Sequence, residues 1–338
     1  MPAQGEINSF KFLVLSKLIN SKHINIQSMD ISIIVPLYNE AESLPHLAKW
    51  IDRVMEENHF DYEVVMVDDG SNDGSWSVVE GLHDANPRYR GVKFRRNYGK
   101  SAALNVGFGV AQGDVVITMD ADLQDSPDEV PELYRMIKEE GYDLVSGWKK
   151  KRYDSKLAKN IPSKFFNWTT RKMSGIKLHD FNCGLKAYRK DVVKSIEVYG
   201  EMHRYIPVIA KWAGFKKIGE KVVQHRKREF GVTKFGMDRF VNGYLDLMSI
   251  MFMSKFGKQP MHFFGLIGSV AFLFGFVALV VVIVLRLAHI IALTRSVWFF
   301  LSMFFTLIGM VLFLAGFIGE LVCRNSSTRN TYLIEKSI

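Results

Sequence analysis

The chain has 338 residues, of which 48% are hydrophobic and 23% are charged, and its formal net charge is +9. This length predicts roughly two domains, or one domain with an appendage, and it excludes a disulfide-stapled miniprotein and a disordered chain. The two cysteines, Cys183 and Cys323, are too few and too far apart to indicate a disulfide framework or a zinc site.

Short β-branched runs alternate with segments of helical periodicity between residues 30 and 147. The predicted strands cover 31–36, 62–67, 91–95, 114–119 and 143–147, and the predicted helices cover 41–58, 75–84, 100–112 and 127–140. Asn39 is predicted to cap the first of these helices. The alternation indicates an α/β domain in which a mostly parallel sheet is covered by helices on both faces.

Two later stretches, 161–173 and 240–252, mix large apolar side chains with basic ones. Each is typical either of a helix that faces a protein core or of an amphipathic helix that lies on the cytoplasmic leaflet of a membrane. The basic residues around both stretches, and the apolar segments that follow the second, favour the membrane surface.

The C-terminal part of the chain contains two uncharged apolar runs, 263–285 and 299–318. Their lengths of about 23 and about 20 residues, at ~1.5 Å per residue, span roughly 35 and roughly 30 Å, enough to cross the apolar core of a bilayer. Lys255 and Lys258 precede the first run and Arg324 follows the second. Together with the basic segments upstream, they predict a transmembrane hairpin with both ends in the cytoplasm.

These patterns divide the chain into five parts. The predicted parts are a flexible extension over 1–29, a cytoplasmic α/β domain over 30–236, a juxtamembrane amphipathic helix over 237–260, the membrane hairpin over 261–325 and a cytoplasmic tail over 326–338. The predicted location is the inner (plasma) membrane, which the chain crosses twice, with the α/β domain on the cytoplasmic side.

The positive charge is concentrated in two segments that precede the apolar runs. Residues 148–172 contain nine Lys or Arg and one acid, and residues 211–239 contain nine Lys or Arg and three acids. Such a local excess indicates an anionic partner, which is nucleic acid, lipid phosphate or a phosphorylated substrate. The neighbouring membrane spans, and a sequence without an aromatic-basic RNA-binding signature, argue against nucleic acid.

Asp120 and Asp122 lie just past the fourth predicted strand, with Gln124 two residues further on. Carboxylate and amide oxygens are suitable ligands for Mg²⁺ or Mn²⁺, and such a metal would also bind a diphosphate. An isolated Asp-Xaa-Asp is more often a solvated acidic turn. Here it follows a buried strand and shares the sheet edge with two other polar strand ends, which favours a ligand site.

Four ordered motifs resemble glycosyltransferase family 2, and most closely its polyprenyl-phosphate branch, which includes dolichol-phosphate mannose synthases and bacterial undecaprenyl-phosphate glucosyltransferases. They are IVPLYNE at 34–40, VDDGS at 67–71, RNYGKS at 96–101 and DADLQD at 120–125, and the resemblance extends from about residue 31 to residue 234. It implies a GT-A fold, a nucleotide-sugar donor, a divalent metal and inversion at the anomeric carbon.

The resemblance also assigns roles to residues by their position in these motifs. The nucleotide would be bound by Pro36, Tyr38, Glu40, Asp68, Asp69, Lys100, Asp120 and Ala121, and the metal by Asp120, Asp122 and Gln124. The basic segment 226–234 resembles a loop that closes over the donor diphosphate or the acceptor phosphate, with Arg226, Arg228 and Lys234 as phosphate ligands; a solvated basic turn is the alternative. The catalytic residues would be Asp122, Asp180 and Arg228.

The role of Asp180 stays open between a general base and a residue that orients the acceptor. A lipid phosphate monoester has a second pKa of about 6, so it is mostly dianionic at pH 7 and needs little deprotonation. What the reaction requires is cations that bring two anions together, namely a metal on one side and Lys or Arg on the other. His179 and Cys183 have no partner at metal-ligand spacing and are predicted to be structural.

The sequence therefore predicts a metal-dependent, inverting enzyme that transfers a sugar from a nucleotide sugar to undecaprenyl phosphate at the membrane. Glucose and uridine are the preferred donor components, on the bacterial resemblance alone. The oligomeric state stays open, and a homo-oligomer assembled through the hairpins is one option. A processive polysaccharide synthase is one alternative, although its Gln-Xaa-Xaa-Arg-Trp motif and additional spans are missing from the sequence. A catalytically idle nucleotide-binding membrane anchor is the other.

Overall fold

The computed structural model describes residues 29–150, 160–226, 248–249, 252, 256, 259–289 and 296–324. The strands are β1 (Ile31–Leu37), β2 (Tyr62–Asp68), β3 (Tyr89–Lys93), β4 (Val115–Thr118), β5 (Leu144–Trp148), β6 (Lys186–Arg189) and β7 (Ile218–Val222). The α-helices are α1 (Leu44–Glu57), α2 (Ser75–Ala85), α3 (Lys100–Val110), α4 (Val130–Lys138), α5 (Asn160–Ser174), α6 (Lys190–Ser195), α7 (Ile206–Trp212), α8 (Pro260–Leu287) and α9 (Val297–Arg324).

The strands form one sheet in the order β3-β2-β1-β4-β6-β5-β7. Every neighbouring pair is parallel except those that involve β6, which runs antiparallel to both β4 and β5. The predicted mostly parallel sheet is thus confirmed. The carboxyl ends of β2, β1, β4, β5 and β7 consequently lie along the same edge, where the ligands of such sheets bind.

Helices cover both faces of the sheet, because the central strands are apolar on both sides. One core packs Ile33 and Val35 of β1 against α1, α2 and α4. The other packs Ile34 of β1, together with Val65 and Val67 of β2, against α3, α6 and α7. This alternation of neighbouring β1 side chains between two cores explains why the strand reads as a continuous β-branched run.

Two local predictions were wrong. The third strand begins at Tyr89 rather than at residue 91, because the parallel pairing with β2 already starts at Tyr89, opposite Val64. Asn39 does not cap α1, which begins at Leu44. Asn39 instead adopts a left-handed φ of 56°, and its Oδ1 accepts the N–H of Asn72 at 3.0 Å. It therefore ties together the loops that follow β1 and β2.

Helices α8 and α9 are both long and apolar enough to cross a membrane, and the predicted spans 263–285 and 299–318 lie inside them. They pack as a hairpin whose backbones touch at glycines. A Cβ on Gly275 would lie 2.4 Å from the Thr306 nitrogen, and one on Gly309 would lie 2.3 Å from the Phe272 nitrogen. Large apolar side chains point away from this contact and are exposed, for example Leu273 at 63%. This pattern of small residues inside and large apolar residues outside is the one that membrane helices use.

Some predicted elements can be compared only in part with the structure. The predicted helix 161–173 corresponds to α5, in which Asn167 is buried and Trp168 is 54% exposed. The predicted helix 240–252 lies outside the described residues apart from 248–249 and 252, and so do the extension up to residue 28 and the tail 326–338. The five-part division of the chain stays a prediction.

Candidate active site

The candidate site lies where β1 separates the two halves of the sheet. From β1 the sheet continues to β2 and β3 on one side and to β4 on the other. The Asp69 N–H donates to the Leu37 carbonyl at 2.9 Å, and the Met119 N–H donates to the Ile34 carbonyl at 3.1 Å. The polar segments that follow β1, β2 and β4 are therefore brought to one edge, at the switch point where α/β sheets bind nucleotides.

Asp68 and Asp69 have different surroundings at the end of β2. Both carboxylate oxygens of Asp69 accept backbone N–H groups, from Tyr98 at 2.7 Å and from Gly99 at 2.9 Å. Burial raises the pKa of Asp69, and these two hydrogen bonds oppose the shift. Asp69 therefore holds the 96–101 segment in place. Oδ1 of Asp68 accepts the Ser71 N–H at 2.8 Å, whereas its buried Oδ2 has no hydrogen-bond partner among the described residues.

An unsatisfied buried carboxylate oxygen costs free energy unless a donor reaches it. Oδ2 of Asp68 is therefore available to accept a hydrogen bond from a bound molecule. In the loop that follows β1, the Glu40 N–H donates to Oγ of Ser75, the first residue of α2, at 2.9 Å. Pro36 lies at the end of β1 opposite Val67, and Tyr38 follows it, so these two predicted residues share the edge with Asp68.

Asp120 lies past β4 beside the ammonium of Lys100, which donates a hydrogen bond to its Oδ1. Burial disfavours the charge on Asp120, but the ammoniums of Lys100, Lys149 and Lys186 outweigh it and lower the pKa of Asp120 to about 2. The Asp120 N–H donates to Oδ2 of Asp125 at 3.3 Å, and Asp125 in turn pairs with Lys149 at 2.8 Å. Asp120 is thus a carboxylate at neutral pH, within a network of alternating charges.

Asp122 and Gln124 belong to a strained turn after Asp120. Oδ1 of Asp122 accepts the Gln124 N–H at 3.2 Å, and Leu123 between them has a left-handed φ of 61°. Backbone conformations of this kind cost free energy and are concentrated at functional sites. Ala121 and Asp122 are both buried, at 4% and 7% exposure. The turn therefore fixes the Asp122 carboxylate just beyond the sheet edge.

Gln124 also connects this turn to the beginning of the basic segment. Its carbonyl accepts the Arg226 N–H at 3.1 Å, and its Nε2 donates to the Arg226 carbonyl at 3.4 Å. The guanidinium of Arg226 lies 4.0 Å from the ring centroid of Trp50 on α1, within cation–π distance. Two predicted phosphate ligands, Arg228 and Lys234, lie outside the described residues.

Asp180 lies in the loop before β6 and is 1% exposed. Its N–H donates to Oε1 of Glu220 at 3.2 Å, its carbonyl accepts the Ser146 hydroxyl at 3.3 Å, and its Oδ1 accepts the Asn182 N–H at 3.0 Å. The backbone on both sides of Asp180 is therefore fixed to β5 and β7.

The family of the chain follows from its similarity to known proteins. Residues 32–197 match the family model described as Glycosyl transferase family 2. The chain is 37% identical over 250 residues to a protein of Rhizobium johnstonii named dodecaprenyl-phosphate galacturonate synthase, with 72% of each chain covered. The chain belongs to glycosyl transferase family 2. It is therefore a glycosyltransferase, as the motifs predicted.

A second relative and two solved structures extend the comparison. The glycosyltransferase is 36% identical over 258 residues, 76% of its chain and 74% of the relative, to the undecaprenyl-phosphate 4-deoxy-4-formamido-L-arabinose transferase of Pseudomonas syringae. It superimposes on glucosyl-3-phosphoglycerate synthase from Mycobacterium tuberculosis in complex with UDP (TM-score 0.51, 18% identity, 68% and 80% of the two chains). Mannosyl-3-phosphoglycerate synthase from Rubrobacter xylanophilus gives a TM-score of 0.52 at 16% identity, over 66% and 73% of the chains. These likenesses confirm the GT-A-like fold.

The structure adds residues around Asp120 that sequence reasoning missed. They are Lys149, Gly184, Lys186 and His203. A Cβ on Gly184 would lie 2.5 Å from Oδ2 of Asp120. Lys186 is 3% exposed and donates to the Cys183 carbonyl, and burial lowers its pKa. Nδ1 of His203 lies 3.1 Å from the Ser101 hydroxyl, and burial lowers its pKa well below the usual value. No local pattern in the sequence singles these residues out.

The glycosyltransferase has oxygen ligands that suit a hard divalent cation, but a bound substrate would have to complete the coordination. Among the residues that the structure describes, no three His, Cys, Asp or Glu side chains form a group that could hold a metal ion. Asp120, Asp122 and Gln124 contribute two carboxylates and an amide. Mg²⁺ commonly binds through one or two carboxylates together with substrate phosphates. The donor set therefore fits a cation that binds with a diphosphate.

The Lys100–Asp120 pair makes a prediction about pH. Substitution Lys100→Met is expected to raise the pKa of Asp120, because the nearest ammonium is lost, and to lower the rate of sugar transfer about tenfold. Since the folded-state pKa of Asp120 is depressed, its ionisation stabilises the wild type above the ordinary carboxyl pKa of about 4, and this contribution disappears as the pH falls towards 2.

The difference in thermal stability between wild type and Lys100→Met should accordingly be largest near neutral pH and should close towards pH 2. Melting curves recorded between pH 2 and pH 8 measure it. Lys138→Met is the matched control, because Lys138 forms a 2.7 Å pair with Asp114 at the protein surface. A Lys100→Met protein whose stability deficit is independent of pH would contradict the assigned role of the pair.

Proposed function

We propose that this glycosyltransferase transfers a sugar from a nucleotide sugar to a polyprenyl phosphate at the membrane surface, with inversion at the anomeric carbon. The observation that carries the proposal is the Asp120–Asp122 turn at the switch point of a chain that also contains the apolar α8–α9 hairpin. The names of the two relatives, both polyprenyl-phosphate sugar transferases, support it. A soluble acceptor would give no reason for the hairpin.

The donor half of the site follows from the surroundings of Asp68 and Asp120. Oδ2 of Asp68, which has no hydrogen-bond partner among the described residues, would accept a hydrogen bond from the base or ribose of the nucleotide. Asp120, Asp122 and Gln124 would hold a divalent cation together with the donor diphosphate, as expected for Mg²⁺ or Mn²⁺. A cation bound there would offset the negative charge of the departing nucleoside diphosphate. One structural neighbour, glucosyl-3-phosphoglycerate synthase, has been solved with Mn²⁺ and UDP-glucose.

The acceptor half of the reaction needs cationic side chains more than it needs a base. A phosphate oxygen of the lipid attacks the anomeric carbon, the bond from that carbon to the diphosphate breaks, and the nucleoside diphosphate leaves. Because the attacking phosphate is mostly dianionic at pH 7, no proton has to be removed from it. We therefore assign Asp180 to orienting the acceptor site, and Arg226, Arg228 and Lys234 to neutralising phosphate charge.

The sugar and the nucleotide are the finer part of the proposal. Uridine remains the preferred nucleotide, whereas glucose receives no support from the relatives, whose names specify galacturonate and formamido-arabinose. We further propose that the chain is an inner-membrane protein with its glycosyltransferase domain in the cytoplasm. The basic segments 148–172 and 211–239 precede the first apolar helix, and this excess of Lys and Arg favours a cytoplasmic location for the domain.

The decisive experiment supplies membranes that contain the full chain with undecaprenyl phosphate and a panel of radiolabelled donors. The panel contains the UDP-linked forms of glucose, galacturonate and formamido-arabinose, with GDP-mannose as the comparison, and the lipid extract is examined for a labelled glycolipid. One donor should give a product with a single sugar per lipid. A long polymer would support a processive synthase, and binding of a donor without any transfer would support an idle nucleotide-binding anchor.

A further inference from the structure

An aromatic and carboxylate cluster lies beside Asp180, at the β5–β7 end of the sheet. The imidazole of His179 stacks on the indole of Trp148, with ring centroids 4.1 Å apart and planes 12° from parallel. Nδ1 of His179 lies 2.6 Å from Oε2 of Glu220. Trp148 ends β5, Glu220 belongs to β7, and His179 precedes Asp180, so three separate segments of the chain meet here.

Glu220 holds the backbone of this segment as well as the ring. Its Oε1 accepts the N–H of His179 at 2.7 Å and the N–H of Asp180 at 3.2 Å, while Oε2 bonds the imidazole. The Glu220 side chain is only 12% exposed. An exposed ion pair between flexible side chains contributes little to stability and is not usually held by additional backbone hydrogen bonds. The three hydrogen bonds and the stacking fix the His179 ring in a single orientation.

The orientation leaves one ring nitrogen open. The His179 side chain is 52% exposed, and Nε2 makes no hydrogen bond within the described part of the chain. Because Nδ1 faces a carboxylate, Nδ1 carries a proton, as it does in histidines that a carboxylate orients for binding or catalysis. The second nitrogen is thereby presented to whatever occupies this part of the sheet edge.

The position of the cluster identifies the class of ligand. β5 is separated from β4 by β6, so Trp148 lies two strand spacings from the Asp120 strand, roughly 10 Å at ~4.8 Å each, on the same edge. The ammonium of Lys150 lies 5.7 Å from the centroid of the Trp148 ring, so a cationic side chain accompanies the cluster. With Nδ1–H donating to Glu220, Nε2 can donate to an anion only as the second N–H of an imidazolium, and a phosphate placed opposite the Glu220 carboxylate would favour that doubly protonated form. A phosphate oxygen would then accept a charge-assisted hydrogen bond from Nε2–H.

We propose that Nε2 of His179 binds the phosphate of the polyprenyl phosphate acceptor, with Glu220 and Trp148 as the residues that position it. This inference rests on the proposed function, because it places the second substrate of that reaction. The donor diphosphate is the other phosphate in the reaction, but the donor residues lie around Asp120, two strands away. His179 directly precedes Asp180, so Glu220 positions the two residues together.

The substitution His179→Gln tests the proposal by steady-state kinetics of the full chain in membranes or nanodiscs. Loss of one charge-assisted hydrogen bond should raise KM for undecaprenyl phosphate on the order of tenfold and leave KM for the nucleotide sugar within about twofold. Glu220→Gln should shift the acceptor KM in the same direction by a smaller factor. His59→Gln is the control, because His59 is exposed beyond α1, at the opposite edge of the sheet.

A binding measurement separates a ligand contact from a merely structural role. The ¹⁵N-labelled full chain is titrated with farnesyl phosphate, inorganic phosphate and UDP, and the His179 ring signals are identified by their absence from His179→Gln. Farnesyl phosphate should shift the Nε2 signal, inorganic phosphate should shift it only at higher concentration, and UDP should leave it unchanged.

The outcomes for His179 and for the proposed function can be distinguished. If the wild type makes a glycolipid while His179→Gln keeps its acceptor KM, or if UDP alone shifts Nε2, the assignment of His179 is overturned and the proposed function stands. If the wild type makes no glycolipid with any donor, the proposed function itself fails.

Discussion

Replacing Asp122 with Asn should reduce the initial rate of sugar transfer on the order of 10²- to 10³-fold. Asn keeps the size of the side chain and an oxygen that can accept the Gln124 N–H, which Asp122 accepts at 3.2 Å. It removes the negative charge that would hold the cation and, through it, the leaving diphosphate. Losses of this size are typical when one electrostatic contact to developing charge is removed. The rate is measured with the radiolabelled donor that the panel identifies.

The control for this prediction must separate chemistry from folding. Asp84→Asn removes one exposed carboxylate from α2 and should leave the rate unchanged. Both variants should melt within a few degrees of the wild type. EDTA should reproduce the loss in the wild type, and Mg²⁺ or Mn²⁺ should restore the rate. An Asp122→Asn enzyme with full turnover, or a wild type that is insensitive to EDTA, would contradict the metal assignment.

The parts of the fold that follow from local patterns could be predicted from the sequence. Runs such as β1 and β2 are buried on both faces, so their composition alone identifies them. The Asp120–Gln124 turn was found because it directly follows a buried strand. The antiparallel direction of β6 could not be predicted, because the sequence of a four-residue strand does not indicate its direction. That direction is determined by its pairing with β4 and β5.

The roles of individual side chains depended on partners that are distant in sequence. Asp69 was assigned to the nucleotide, and the structure adds that its two oxygens also accept the N–H groups of Tyr98 and Gly99, about 30 residues away. His179 was predicted to be structural, and its partner Glu220, which comes 41 residues later, could not be identified from the sequence. Contacts of this kind are set by strand order, which a single sequence does not display.

Gly184→Ala is expected to be the second most damaging substitution, for a reason that only the packing reveals. A Cβ at residue 184 would lie 2.5 Å from Oδ2, 2.7 Å from Cγ and 2.8 Å from Oδ1 of Asp120. The backbone has little freedom to yield, because the Gly184 carbonyl accepts the Thr118 hydroxyl at 2.7 Å. The Asp120 carboxylate must move instead, which perturbs its hydrogen bond with Lys100.

A displacement of about 1 Å in a catalytic group commonly costs on the order of 100-fold in rate, so we expect Gly184→Ala to lose about that much transfer activity. Its melting temperature should fall by only a few degrees, because the atoms that move are at the end of a side chain. Gly81→Ala is the matched control: nothing lies within 4 Å of a Cβ there, and Ala in place of Gly within α2 should stabilise the fold by roughly 0.5–1 kcal/mol.

If Gly184→Ala transferred sugar at the wild-type rate, the position of the Asp120 carboxylate would be unimportant and the site would have to be sought elsewhere on the edge. If Gly184→Ala failed to fold, the close contact would be needed for packing. The role of the Asp120 carboxylate would then be tested with Asp120→Asn.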